Sequence, residues 1–249
     1  MTWSGSRILI LLMLMLALGA GLIGYQQMAA GKPGYVLAVS WQPGFCESRW
    51  RLPEYRSQTS ERYDASHFSL HGLWPQPRSN AYCGVNQSEI RKDKDHRWRE
   101  LSWVRLDHDL WNRLKQVMPG TRSGLHKHEW IKHGTCYDGT GPDEYFADAL
   151  HLMDALNNSE VHRLFASSIG SELSGDRVRA AFDKSFGAGT GDRVRISCSN
   201  DQGRRLIVEL TIGLSGTVTP TSRMSDLMAA SPVTEPGCPS GIVDAAGLQ

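Results

Sequence analysis

The chain has 249 residues, 40% hydrophobic and 21% charged, a balance that excludes a disordered polyelectrolyte and allows one domain with a substantial core. Its 27 basic and 26 acidic residues leave a net charge of +1, and Arg7 is the one charged residue in the first 30, so the body beyond them is formally neutral. A neutral body does not wrap a polyanion through a broad basic face, which leaves local recognition: a cleft, a few cations and stacking rings.

In chain order, residues 1–30 come first. Arg7 precedes an apolar run over residues 8–23. This is long for the apolar region of a signal peptide and slightly short for a full membrane span. Export with cleavage and an uncleaved N-terminal anchor both remain open, and either places the body outside the cytoplasm. Residues 31–34 read as a linker, and residues 31–249 as one domain. Residues 35–41, Tyr-Val-Leu-Ala-Val-Ser-Trp, read as a strand ended by Gln42, Pro43 and Gly44. Residues 67–70 read as a second strand, stopped by Gly72 and Pro75.

The apolar spacing at 106, 110, 114 and 117 predicts a helix closed by Pro119 and Gly120. Residues 126–136 are treated as another helix. Pro142 opens a further helix to about residue 157, with Phe146, Leu150, Met153 and Leu156 along one side. Asp176 is the expected cap of a helix reaching residue 186, and residues 194–198 and 205–214 read as late strands. Helices and strands do not alternate regularly, which favours α+β over a doubly wound sheet.

Five cysteines, Cys46, Cys83, Cys136, Cys198 and Cys238, follow the apolar leader. Export makes disulfides the default, the odd count leaves at least one thiol unpaired within the monomer, and no Cys-x-x-Cys pair is present. Asn86 and Asn157 each begin a triplet of the glycosylation type.

Chemistry concentrates in two segments. Residues 68–75 read Phe-Ser-Leu-His-Gly-Leu-Trp-Pro, and residues 125–136 read Leu-His-Lys-His-Glu-Trp-Ile-Lys-His-Gly-Thr-Cys. Together they hold His71, His128, Glu129, Lys132 and His133. One imidazole can take a proton while another gives one, and cations can hold developing negative charge on a phosphodiester. On a helix, Glu129 and His133 lie four apart on one face, with His128 and Lys132 on the adjacent stripe. Taken singly, such residues more often form solvated surface pairs, and a lone histidine beside a turn is usually structural. A zinc-protease reading fails at Lys132, where His-Glu-x-x-His needs its second histidine. No P-loop and no Gly-x-Ser-x-Gly elbow is found.

The two segments, with residues 40–46 (Ser-Trp-Gln-Pro-Gly-Phe-Cys), resemble the ribonuclease T2 family over residues 35 to about 245. The resemblance implies an α+β fold with a central antiparallel sheet and surrounding helices. It implies a monomeric, cofactor-free and metal-free endoribonuclease acting on RNA and not on DNA. His133 would be the general base on the ribose 2′-hydroxyl and His71 the general acid toward the leaving 5′-oxygen. Glu129 and Lys132 would hold the phosphorane and His128 the phosphate. Trp74 and Tyr82 would sandwich a base, and Gln76 would replace an aspartate that reads adenine in some relatives, which points to broad specificity. The resemblance also implies the pairs Cys83–Cys136 and Cys198–Cys238, leaving Cys46 as a buried thiol or an intermolecular bridge. A binding or signalling protein without turnover is the rival reading, and a chelator-sensitive metallohydrolase is the third.

Overall fold

The computed structural model describes residues 34–47, 49–139 and 141–247. The apolar leader and most of the linker lie outside them; among the described residues no helix is long and apolar enough to cross a membrane.

The elements run β1 (Tyr35–Ser40), α1 (Gln42–Glu47), α2 (Pro53–Arg56), β2 (Ser69–Pro75), α3 (Gln87–Lys94), α4 (His108–Val117), α5 (Leu125–Lys132), α6 (Pro142–Asn157), α7 (Glu160–Ser167), β3 (Glu172–Ser174), α8 (Gly175–Phe186), β4 (Val194–Asp201), β5 (Arg204–Leu214), α9 (Met224–Ala229) and β6 (Ser240–Ile242). The fold is α+β, as expected. The sheet is mixed rather than purely antiparallel. β2, β1, β5 and β4 pair antiparallel, while β6 meets β5 in parallel at Leu206 and Ile242 and pairs antiparallel with β3. The cause is local: the Cys198–Cys238 bridge and the bond from Cys238 N–H to Ile196 O (3.0 Å) hold the last segment against β4.

Period-two alternation places Leu37 and Val39 of β1 and Leu210, Ile212 and Leu214 of β5 in the core. Helix α6 buries Phe146, Leu150, Met153 and Leu156 against the same core. Two buried side chains of α6 also hold the outer edge of β2. The Tyr145 hydroxyl donates to Leu73 O (3.0 Å), and the Asn157 amide bonds Phe68 through both N–H and C=O, each at 3.0 Å. An edge strand with its free backbone groups satisfied this way has a fixed register. The use of Asn157 removes it as a glycosylation acceptor. Asn86 caps α3, its Oδ1 accepting from Ser88 N–H and Glu89 N–H.

Three expected boundaries move. The second strand spans Ser69–Pro75 and runs through Gly72. The helix at residue 175 is capped by Ser174, whose extended backbone suits a cap and whose Oγ accepts from Arg177 N–H; Asp176 sits inside the first turn. Helix α5 ends at Lys132, and residues 134–136 form a tighter turn leading to the Cys83–Cys136 bridge. Gly134 is required there, since a Cβ would fall 2.3 Å from the Trp130 ring. Both implied disulfides form, and Cys46 is a buried free thiol receiving a hydrogen bond from Gln42 Nε2 at 3.3 Å.

Candidate active site

The register of β2 creates the first half of the site. Ala38 pairs with Gly72 and Val39 with Leu70, so His71 is the extra residue of a β-bulge. Bulges re-aim a side chain at the cost of a ladder bond. β5 carries a matching irregularity: Ser197 pairs with Glu209 and Cys198 with Ile207, which leaves Val208 extra beside Glu209. The two bulged strands bring His71 Nδ1 to 2.6 Å from Glu209 Oε2. Gly72 answers a steric demand, because a Cβ there would lie 1.9 Å from Glu129 Oε2. Strand and helix approach at this point only because the side chain is a hydrogen.

Helix α5 supplies the second half. Glu129 is fully buried; its Oε2 accepts from the Trp74 indole N–H at 2.8 Å. Its Oε1 has no hydrogen-bond partner among the described residues and lies 3.8 Å from His71 Nε2 and 3.7 Å from His128 Nε2. His128 is held from behind: Nδ1 lies 2.6 Å from Asp93 Oδ1, and the ring stacks on Trp98 at 4.5 Å. His133 caps the helix (φ −114°, ψ −49°) with its N–H still bonded to Glu129 O at 3.0 Å, and its ring stacks on Trp74 at 5.5 Å. Its Nδ1 is buried without a partner among the described residues. Three imidazoles, of His71, His128 and His133, and one carboxyl oxygen of Glu129 thus converge on one gap, with Lys132 close enough for its charge to act on His71, Glu129 and His133.

Three groups are pushed away from their ordinary proton affinities. The protein packed around His71 disfavours its cation, but the Glu209 hydrogen bond and the charges of Glu129 and Glu209 outweigh this, so its pKa is raised above 6.5. Burial, reinforced by Lys132, His128 and His71, drives His133 down to about 3. Burial raises Glu129 against the pull of His71, His128 and the Trp74 bond. The two histidines therefore shift in opposite directions: His71 holds a proton more firmly than an ordinary imidazole, and His133 holds one less firmly. Neighbouring titratable groups with opposed affinities are the signature of an acid–base pair.

A cavity of about 690 Å³ has His71 in its wall, with Leu70, Gln42, Trp98 and Leu125 among the other lining residues. A space of this size suits a small organic ligand.

The ribonuclease T2 family profile matches residues 34–225. The chain is 31% identical to ribonuclease I of Escherichia coli over 219 residues, which covers 80% of this chain and 81% of that protein. The chain belongs to the ribonuclease T2 family. Membership makes it an endoribonuclease. Ribonuclease Rh of Rhizopus niveus is 27% identical over 184 residues, covering 62% of this chain and 69% of that one. Among solved structures, the S-like ribonuclease trichomaglin superposes with a TM-score of 0.50 at 16% identity, covering 87% of this chain and all of that one, a likeness of fold alone.

The T2 fold gathers His71, His128, Glu129, His133 and Trp74 at one place. Tyr82 stands at the edge with a left-handed backbone (φ 59°), and its hydroxyl donates to Asp93 Oδ2 at 2.7 Å, so it shares an anchor with His128. Gln76 is not drawn into the cluster; its amide donates to Trp74 O at 3.3 Å. Sequence reasoning missed Glu209, Asp93 and Trp98. Glu209 lies 138 residues from His71 and Asp93 lies 35 from His128. No local pattern marks such partners.

Proposed function

We propose that this ribonuclease T2 protein cleaves single-stranded RNA by transesterification without a metal ion. His133, neutral because nothing compensates its burial, takes the proton of the ribose 2′-hydroxyl. The 2′-oxygen bonds to phosphorus as the bond from phosphorus to the 5′-oxygen breaks. His71 Nε2 delivers a proton to that oxygen, while Glu209 on Nδ1 keeps the imidazole charged and oriented. The product is a 2′,3′-cyclic phosphate, which water opens to a 3′-phosphate with the two histidines exchanging roles. His128 and Lys132 hold the phosphate oxygens. Burial raises the proton affinity of Glu129, whose Oε1, without a partner among the described residues, would face a phosphorane oxygen. DNA lacks the nucleophile. Base binding rests on the rings of Trp74 and Tyr82, with Gln76 at the margin, and stacking tolerates every base.

The opposed proton affinities of His71 and His133 carry this reading. The test is incubation of single-stranded RNA with the protein in excess chelator beside a His133→Ala control, with product ends identified by mass. Cyclic-phosphate ends made by the unaltered protein alone support it. A second reading has one observation in its favour: donor atoms of His128, Glu129 and His133 lie within 4.8 Å of one another, close enough to share a metal ion. Activity lost in chelator and restored by a divalent cation would select that reading.

The two disulfides fit an oxidising compartment, so we place the enzyme outside the cytoplasm, periplasmic or secreted. We further propose that it acts as a monomer of one catalytic domain, delivered by the apolar leader as a signal peptide or held at the membrane by it.

A further inference from the structure

The cavity that His71 lines also has an aromatic and cationic wall. This wall is built by Phe45 of α1 and by Arg49, Trp50 and Arg51 in the connection from α1 to α2. Trp50 is 52% exposed, unusual for a tryptophan. Trp103 is more exposed still but does not line this space. The Arg51 guanidinium lies 4.8 Å over the Trp50 ring, and that of Arg49 lies 4.1 Å over the Phe45 ring. The wall is anchored to the opposite side of the cavity, since Ser123 Oγ donates to Glu54 Oε1 at 2.9 Å. Two aromatic rings, each with a guanidinium over it, in an otherwise neutral body, are chemistry suited to a base and its phosphate.

Polarity follows from the chemistry. His71 protonates the 5′-oxygen that leaves, so the leaving nucleoside and everything 3′ of it exit on the His71 side. We propose that Arg49, Trp50 and Arg51 form a subsite for the RNA that follows the leaving nucleoside, with the next phosphate on the guanidinium groups and a base stacked on Trp50. The subsite rests on the transesterification reading above for its direction. It makes the enzyme favour sites inside longer chains over terminal dinucleotides.

The test uses chimeric oligonucleotides with a single ribonucleotide, so that one bond is cleavable. One is a dinucleotide, one carries two extra deoxynucleotides on the 3′ side, and one carries two on the 5′ side. Each is compared on the unaltered protein, on Trp50→Ala and on an Arg49→Gln, Arg51→Gln double variant. The 3′ extension is expected to raise kcat/KM about tenfold, through KM, on the unaltered protein, and Trp50→Ala to remove most of that gain. The double variant should flatten the salt dependence of the 3′-extended substrate by about one phosphate contact. The 5′ extension should not distinguish the three proteins. A 3′ gain that is absent, or equal in all three, overturns the subsite. All-deoxy versions of the same oligonucleotides, read by competition binding, report on the subsite even if no bond is cut. A failure of the activity is thereby told apart from a failure of the subsite.

Discussion

His71 and His133 are the same residue type in opposite circumstances. The strand side of the site, β2 with β5, gives His71 a carboxylate at 2.6 Å and a second at 3.8 Å, and its charged form wins despite crowding. The helix side, at the end of α5, gives His133 a tryptophan face, a buried Nδ1 with no partner among the described residues, and the positive charges of Lys132, His128 and His71. Burial alone would make both neutral. The difference between acid and base is made by Glu209 together with the charge of Glu129, and Glu209 has no sequence signal of its own. A mechanism that needs one charged and one neutral imidazole at the same pH is solved by giving only one of them a partner.

The sharpest way to break the comparison is to remove either histidine. His71→Ala and His133→Ala should each lower kcat on RNA by about 10² to 10⁴, the usual contribution of a general acid or base, with little change in the thermal midpoint. Near-wild-type turnover in either variant removes that histidine from the chemistry.

Next in size is the tether on the helix side. Replacing Cys83 and Cys136 together by serine should cost about 2–5 kcal/mol in denaturant unfolding, because the bridge closes a 53-residue separation in the unfolded chain. An unchanged midpoint contradicts a structural bridge.

Gly72→Ala tests the contact between the two sides. Its Cβ would meet Glu129 Oε2 at 1.9 Å and Trp74 Nε1 at 2.5 Å. Displacing them should cost about 1–3 kcal/mol of stability and lower kcat as well. A variant with full stability and full turnover shows that strand and helix are not held as closely as described.

Glu209→Gln sharpens the comparison by erasing its cause. In the unaltered protein, kcat/KM should rise as pH climbs through about 3, where His133 loses its proton, and fall only above His71's raised pKa, beyond 6.5. Without the Glu209 charge the alkaline limb should move toward lower pH, while the acid limb stays. A profile that does not move leaves Glu209 without a role in His71's charge. Linkage runs the same way. His71, raised, contributes stability present below 6.5 and lost as pH rises through its folded value. His133, depressed, makes the fold less stable as pH falls from 6.5 toward about 3.

What the chain determined on its own was whatever depends on neighbours in sequence. The apolar side of α6 and its opening proline were legible because helical period and a fixed φ are local properties, and Pro142–Asn157 is the helix found. The two His-bearing segments were legible because five chemical groups fall within them. Gly72 reads in sequence as a strand stop, whereas the folded strand runs through it and uses its missing side chain for the approach to Glu129. Ser174 was overlooked as a cap because its role depends on where β3 ends. The tertiary structure decided what depends on pairing across the sheet and between helices. The bulge that makes His71 the odd residue of β2 exists only in its register with β1. Asp93 reaches His128 and Tyr82 only once α3 packs against α5, and Glu209 reaches His71 only because β1 lies between β2 and β5. Proton affinity follows from distance and burial, so a sequence can name the two histidines while the folded chain assigns which one holds the proton.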